Sequence, residues 1–317
     1  MRELPRLGMG TAAIGNLYRA MTDEDAEATI GAALGAGIRY FDTAPHYGFG
    51  LAEERLGRGL RGRADVLVST KVGRLLVPSN DPRRERHGFV DARPFDPRFD
   101  YSGDAVLRSL DGSLARLGRD RVDLLLGHDI GRLTHGARHD AMLRTFLDEG
   151  YPAMRRLRDE GAVDAIGIGV NEVAICLELL ERVDLDVILL AGRYSLLDRS
   201  AALHLLPLCE AKRVRLIVGG PYNSGILARP LAEIGDRRFD YAPASDDTLR
   251  LARGIEAECT RFGVPLPVAA LQFPLQSPAV ASVIPGMASP AEVAENVARL
   301  AVPVPNDLWI ALEGVLA

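Results

Sequence analysis

The sequence has no surplus of basic residues, since 38 Lys and Arg against 43 Asp and Glu give a formal net charge of −5. Proteins that bind the phosphates of nucleic acids usually need a basic surface, so we expect no nucleic-acid partner. No apolar run reaches the length of a membrane-spanning helix. The first residues, M-R-E-L-P-R-L-G, contain no apolar segment of signal-peptide length. We therefore expect a cytoplasmic protein without a membrane partner.

Cysteine is scarce, and no His-x-His sequence occurs. Cys176, Cys209 and Cys259 are odd in number and far apart, which excludes a disulfide framework and predicts buried, reduced thiols. His135 and His139 would share one face of a helix and could bind a metal ion, but Gly136 interrupts them and no third ligand is near. We predict that they lie in a polar loop and that the protein holds no metal.

The chain also lacks short repeats, low-complexity runs and linkers. At 317 residues it is long for one domain, but α/β barrels reach this length as single units. Hydrophobic residues make up 47% and charged residues 26%, which is ordinary for a globular protein. We expect residues 1–317 to form one domain.

Short apolar runs alternate with longer amphipathic segments, which is typical of repeated β-α units and a parallel sheet. Eight such runs favour a closed (β/α)8 TIM barrel of the α/β class, with an open doubly wound sheet as the alternative. The predicted strands are 7–10, 38–42, 64–71, 122–128, 165–169, 187–192, 214–219 and 281–285. The predicted helices are 22–35, 52–60, 104–117, 151–160, 173–180, 200–212, 245–262, 266–276 and 290–298, the first of them capped by Thr22.

Two long polar segments, 73–101 and 130–150, follow the third and fourth predicted strands. In a barrel, both would rise from the C-terminal rim, where ligands bind. Since long loops are usually functional or disordered, we predict that both form walls of the substrate site.

Three predicted strands end in ionisable residues: Asp42, Lys71 and His128. In a barrel these strand ends meet at one rim, close to Tyr47 in the segment that follows the second strand. A lysine beside a tyrosine favours the phenolate and lowers the phenol's pKa, and such a phenol exchanges protons with a substrate oxygen. The alternative is structural: Asp42 and Thr43 would cap a helix, and Tyr47 would only pack beneath it.

The sequence resembles the aldo-keto reductase superfamily. The matching stretches run in the family's order from Leu7 to about Val302: G-M-G-T, F-D-T-A-P-H-Y-G-F-G-L-A-E-E-R-L-G, S-T-K-V-G, S-L-A-R-L-G-R-D-R-V-D-L-L-L-G-H-D, I-G-I-G-V-N, S-G-I-L-A and I-P-G-M-A-S-P-A-E-V-A-E-N. The insert after Lys71 and the A-G-R-Y-S-L-L-D stretch look like the group that contains D-threo-aldose 1-dehydrogenase and pyridoxal 4-dehydrogenase.

The resemblance implies a nicotinamide cofactor and a catalytic tetrad. Tyr47 would be the general acid and base, Lys71 would lower its pKa, Asp42 would be the counter-ion of Lys71, and His128 would orient the substrate. His46, beside Tyr47, would either face the substrate or simply fill the rim. Asn171 would bind the carboxamide, and Tyr194 or Tyr222 would replace the tyrosine that often stacks on the nicotinamide, because that position falls near Gly219 here. The other implied cofactor residues are Pro221, Ser224, Gly225, Pro285, Gly286, Glu292, Glu295 and Asn296.

The segment from Pro285 to Asn296 contains no lysine or arginine. In relatives that use NADP, this stretch supplies cations to the 2'-phosphate, whereas the carboxylate of Glu292 would repel a phosphate and could accept a hydrogen bond from a free ribose hydroxyl. The sequence therefore favours NAD over NADP.

The resemblance predicts hydride transfer between this cofactor and a small-molecule substrate. Oxidation of an aldose, or of the internal hemiacetal of pyridoxal, would give a lactone. The alternative is a regulatory or structural subunit that binds nucleotide without turnover, and the complete tetrad disfavours it. The sequence indicates no oligomeric state.

Overall fold

A computed structural model describes residues 2–233, 235, 237–240 and 242–316, with no description of the side chain at 316. Eight parallel strands in the described part of the chain pair in sequence order. Bridges from Leu7 to Val283 and from Gly10 to Gly286 join the first strand to the last. The sheet is thus a closed (β/α)8 barrel, and the open-sheet alternative is wrong. The strands are Met9–Gly10, Tyr40–Asp42, Leu67–Val72, Leu124–His128, Ala165–Val170, Val187–Ala191, Arg215–Gly219 and Val280–Ile284.

Two apolar clusters hold the barrel together. The smaller one comes almost wholly from alternate strand residues, including Tyr40, Leu124 and Ile217, and fills the barrel interior. The larger one lies between the strands and the surrounding helices. The strands are buried on both faces, which explains why their sequences are continuously apolar instead of alternating.

The helices surround the barrel and begin where the sequence predicts, except that the predicted helix 200–212 begins only at Leu205. The Thr22 side chain accepts a hydrogen bond from the Asp25 backbone N–H, which confirms the predicted cap. A final helix, Asn306–Leu316, was not predicted. The helices are Asp23–Gly35, Leu51–Gly59, Gly103–Leu117, Tyr151–Asp159, Val173–Arg182, Leu205–Lys212, Asp246–Arg261, Leu266–Gln272, Pro290–Ala301 and Asn306–Leu316.

The two inserts differ in structure. The first pairs the antiparallel strands Arg74–Pro78 and Phe95–Phe99 and carries a smaller hairpin, Glu85–Arg86 with Phe89–Val90, at its tip. The second folds into helices at Arg132–His135 and His139–Thr145, a 3-10 turn between them and a π-helical turn at Phe146–Gly150. Among the described residues, no helix is both long enough and apolar enough to cross a bilayer.

The prediction of a polar loop at His135 and His139 was wrong. Both side chains are buried, with 4% and 2% of their surface exposed, because the second insert is helical. His135 packs edge-on against Phe99 and bonds to the Tyr101 hydroxyl. No group of three potential metal ligands occurs among the described residues. The three cysteines are buried and free, as predicted.

Arg55 ties the start of the chain to the helix Leu51–Gly59. Its guanidinium donates to the Ile14 and Met21 carbonyls, to the Asn16 side chain and to Asp23, at 2.7 to 2.8 Å. The side chain is only 5% exposed. Arg55 thus fixes the segment that leads from the first strand to the first helix.

Arg55→Met should lower the free energy of unfolding by about 3 kcal/mol, because it leaves buried carbonyl oxygens without donors. In a chain of this size we expect Tm to fall by about 6 °C in thermal unfolding followed by circular dichroism. Arg58→Met is the matched control, since Arg58 binds the same Asp23 from the same helix but is 44% exposed. Equal losses in the two variants would contradict this role.

Candidate active site

The ends of three neighbouring strands bring Asp42, Lys71 and His128 to one side of the barrel. Lys71 Nζ donates to Asp42 Oδ2 at 2.7 Å, to the Thr43 carbonyl at 2.9 Å and to the Tyr47 hydroxyl at 3.1 Å. The three donors of an ammonium group are thereby used, and Tyr47 is one of the three acceptors.

Asp42 is committed to Lys71 and caps no helix. Its second oxygen accepts from the Ser69 hydroxyl at 2.7 Å, and Ser69 in turn contacts the Tyr40 hydroxyl at 2.9 Å. The helix that follows begins only at Leu51. The capping alternative is therefore wrong, and the carboxylate is held as a buried counter-ion.

A tight turn places Tyr47 over this ion pair. Tyr47–Gly50 is a 3-10 turn in which Gly48 and Phe49 have positive φ, 63° and 55°. A Cβ at Gly48 would lie 2.4 Å from the Gly15 carbonyl oxygen, so only glycine fits. The turn lets the chain reverse while the Tyr47 hydroxyl points back to Lys71.

The electrostatics of Tyr47 correct one expectation. Burial raises the pKa of the phenol, and the positive charge of Lys71 lowers it, with the first effect larger. The net pKa is therefore above its usual value, although Lys71 acts in the predicted direction. Burial also opposes the charge on Lys71, but the negative charges of Asp42 and Tyr47 raise its pKa, so Lys71 stays protonated.

His128 and His46 are neutral. The pKa of each lies well below its usual value because of burial and the positive charge of Arg74. Arg74 Nη1 lies 2.9 Å from His46 Nε2. Since a guanidinium only donates, His46 Nε2 accepts and Nδ1 carries the proton. The His128 carbonyl accepts from the Tyr101 hydroxyl at 2.6 Å, which fixes the end of this strand.

A cavity of about 430 Å³ opens above Tyr47. His46, Tyr47 and His128 line it, as predicted for the substrate side, and Asn171 lies in its wall. The first insert contributes Arg74, His87, Gly88 and Phe89, which confirms that it forms a wall. No residue of the second insert lines this cavity within the described chain, so that prediction was wrong: its helices pack behind Tyr101 and His128. Leu17, Tyr18 and Asp129 were not predicted.

A second cavity of about 710 Å³ continues from Tyr47 along the rim. Small residues, Ala191, Gly192, Gly219 and Gly220, form part of its lining, including the position near Gly219 where the family often has a stacking tyrosine. Most of the predicted cofactor residues line it: Pro221, Ser224, Gly225, Pro285, Gly286, Glu292, Glu295 and Asn296. Tyr194 lines neither cavity, because its ring packs against Phe273 at 5.2 Å between centroids.

The far end of the second cavity is built from paired polar groups. Glu292 Oε2 accepts from the Ala288 backbone N–H at 2.8 Å, and the Tyr222 hydroxyl donates to Asn296 Oδ1. Tyr222 is thus committed to this end and does not lie over Tyr47. Arg299, which the sequence analysis missed because it lies three residues beyond the segment considered, donates to Glu295 at 2.9 Å.

The two cavities together fit an extended dinucleotide. Ala12, Leu17, Tyr18, Tyr47, Leu189 and Ala191 line both, so the cavities are continuous. The turn after the seventh strand places Asn223, Ser224 and Gly225 in the left-handed region, with φ of 44°, 58° and 96°. The N–H groups of Asn223 and Gly225 donate to the Gly220 and Tyr222 carbonyls, both at 3.0 Å, which holds the turn in this conformation.

The family model described as "Aldo/keto reductase family" matches residues 6–317. Pyridoxal 4-dehydrogenase of Microbacterium luteolum is 41% identical over 98% of this chain and 94% of its own. D-threo-aldose 1-dehydrogenase of a Pseudomonas species is 42% identical over 98% of this chain and 93% of its own. Among solved structures, the holo form of aldo-keto reductase AKR11C1 from Bacillus halodurans superimposes with a TM-score of 0.75 at 27% identity, over 98% of this chain and 92% of that one.

Proposed function

This chain belongs to the aldo/keto reductase family, and we propose that it is a dehydrogenase that oxidises a cyclic hemiacetal, of an aldose or of pyridoxal, with NAD. The observation that carries the proposal is the contact of Lys71 with both Asp42 and Tyr47 at the floor of the cavity. We also propose that residues 1–317 act as one domain, since the eight strands form one barrel.

In this proposal Tyr47 moves the proton. During oxidation the substrate hydroxyl gives its proton to the Tyr47 phenolate, and the carbon that loses hydride becomes the carbonyl carbon of the lactone. Lys71 stabilises the phenolate through its 3.1 Å contact, and Asp42 keeps Lys71 charged. A bound nicotinamide would supply the acceptor for this hydride. In the reverse direction Tyr47 protonates the carbonyl oxygen.

His128 would orient the substrate as a neutral donor. A neutral His128 hydrogen bonds to the reacting oxygen without supplying a competing acid, which leaves the proton transfer to Tyr47. His46 carries its proton on Nδ1 because Arg74 occupies Nε2. Since Nδ1 is buried, His46 would shape the cavity wall beside His128, and the two rings lie edge-on at 6.0 Å between centroids.

The chain's own residues would hold the cofactor along the continuous cavity. Asn171 would bind the carboxamide, the turn with Ser224 and Gly225 the pyrophosphate, and Glu292, Glu295 and Asn296 the adenosine. Pro285 and Gly286 would form the adjoining wall. The wide lining of glycine and alanine gives room for a flat ring beside Tyr47.

The adenosine end supports NAD as the preferred cofactor. Glu292 and Glu295 place two carboxylates there, and Arg299 already donates to Glu295, the Tyr222 hydroxyl and the Ala228 carbonyl. A phosphate on the ribose would be repelled by these two carboxylates, and Arg19 and Arg229 also line the cavity.

We expect wild-type protein to have a higher kcat/KM with NAD than with NADP, and Glu292→Arg to shift the ratio toward NADP by about tenfold or more, since a charged hydrogen bond replaces a repulsion. Steady-state rates with both cofactors measure this. Glu181→Arg, on the exposed face of the helix Val173–Arg182, is the control for added charge. A wild type that prefers NADP would contradict the assignment.

A substrate panel with NAD tests the function itself. L-fucose, related aldoses, pyridoxal and simple aldehydes or alcohols should include at least one hemiacetal that gives NADH. If the protein shifts nicotinamide fluorescence but turns over nothing in the panel, the chain is a nucleotide-binding subunit and the dehydrogenase proposal fails.

A further inference from the structure

An ion pair stands in the wall of the substrate cavity. Arg74 Nη2 donates to Asp129 Oδ2, and both side chains are 16% exposed. The guanidinium is fixed from two further sides, by His46 Nε2 at 2.9 Å and by the Phe99 ring at 4.8 Å. Both residues line the cavity that holds Tyr47 and His128. The pair is therefore rigid before any substrate binds.

The backbone of Asp129 is strained. Its φ is 51°, in the left-handed region that non-glycine residues seldom adopt, and its N–H donates to the Gly169 carbonyl at 2.9 Å. Strain of this kind costs about 1 kcal/mol or more and concentrates at functional sites. Here it places Oδ2 3.3 Å from His128 Nε2.

The Arg74–Asp129 ion pair contributes little to the stability of the fold. A largely buried ion pair loses about as much in desolvation as it gains by attraction. Oδ1 of Asp129 has no protein contact among the described residues, and Arg74 Nε is buried without an acceptor. Because Arg74 Nε is buried, it is the unused oxygen of Asp129, in the cavity wall, that points to a ligand.

We infer that Arg74 and Asp129 bind a hydroxyl on the carbon next to the reacting one, and so select cyclic aldoses. The inference rests on the proposed function. A hydroxyl both accepts and donates, so it satisfies the guanidinium and the carboxylate together. His128 would hold the reacting oxygen, and Asp129 beside it reaches the neighbouring oxygen. In pyridoxal the carbon next to the reacting one carries no hydroxyl, because the phenol stands one carbon further along the ring, so this contact is missing.

Deoxy sugars test the inference. The aldose that wild-type protein oxidises best and its 2-deoxy analogue are compared with NAD, in wild type, Asp129→Asn and Arg74→Met. Wild type should prefer the 2-hydroxy sugar by about 100-fold or more in kcat/KM, since a site built for a hydroxyl rejects its absence strongly. Each variant should reduce that preference to about tenfold or less.

Two controls separate recognition from misfolding. Asparagine tolerates the left-handed conformation, so Asp129→Asn keeps the backbone, and NADH binding by fluorescence reports the fold of each variant. Arg84→Gln changes an arginine of the same insert that pairs with Asp91 at its exposed tip, and should leave the preference unchanged.

If the preference for the 2-hydroxy sugar over the 2-deoxy sugar is equal in wild type, Asp129→Asn and Arg74→Met, the inference is overturned. A wild-type protein that oxidises pyridoxal but no aldose also overturns it. The second result would leave the dehydrogenase proposal standing. If wild-type protein binds NADH but oxidises no substrate, the proposed function itself is contradicted. The wild-type measurement shows this without any variant.

Discussion

Tyr47→Phe should lower kcat by about 1,000-fold while the protein still binds NADH, because the substitution removes only the oxygen that exchanges the proton. The ring remains to pack against Phe89, and the Lys71 contact with Asp42 is untouched. Steady-state kinetics on the best substrate and a fluorescence titration with NADH measure the two quantities.

Tyr151→Phe is the matched control. Its hydroxyl donates to the Asp184 carbonyl at 3.0 Å, far in sequence from the tetrad and outside both cavities. We expect nearly wild-type kcat from this variant. If Tyr47→Phe kept more than about a tenth of wild-type kcat, the proton would have to come from another group.

Lys71→Met should reduce oxidation by about 100-fold near neutral pH and move its pH dependence to higher values. Burial and the charge of Asp42 raise the pKa of Tyr47, and Lys71 is the group that opposes them. Without Lys71 the phenol pKa rises further, so at any pH below it a smaller fraction is phenolate. Since oxidation needs the phenolate as base, the rising limb of the pH–rate profile shifts upward.

The profile of kcat/KM against pH measures this shift in wild type and Lys71→Met. Lys212→Met is the control, because Lys212 is the only other lysine in the sequence and lies exposed at the end of its helix. A Lys71→Met profile that is lower at every pH but not displaced would show that Lys71 serves the fold and does not set the protonation of Tyr47.

The choice of lysine at this position has a structural reason. Nearly all other cations of the chain are arginines, yet Lys71 Nζ bonds at 2.7 to 3.1 Å to three acceptors that surround one point. A compact ammonium group suits that arrangement, whereas the planar fork of a guanidinium does not. Lys71→Arg should therefore fail to replace it.

The sequence predicted the tetrad because barrel geometry fixes it. Asp42, Lys71 and His128 end neighbouring parallel strands, so their convergence follows once the strands are recognised. The remainder of the Tyr47 motif is structural: Glu53 is buried and bonds to Thr70 and Arg116, and Arg55 anchors the first loop. The long motif thus contains a few residues that we propose to be catalytic, within a larger structural scaffold.

The substrate wall could not be predicted in the same way. The position of Arg74 depends on antiparallel pairing with residues 95–99, and Asp129 reaches the cavity only through its left-handed backbone. Neither feature has a local sequence signal. The direction of the Tyr47 pKa shift could not be predicted from the sequence either. Burial has a larger effect on this pKa than Lys71, and burial is a property of the folded chain.

The proposed hydride transfer is tested most directly with an aldose that carries deuterium on its anomeric carbon. After turnover with wild-type protein and NAD, mass spectrometry of the cofactor should find one deuterium in NADH, and the sugar should be recovered as an unlabelled lactone. Deuterium that stays in the sugar product, or that passes to water with unlabelled NADH, would contradict the account.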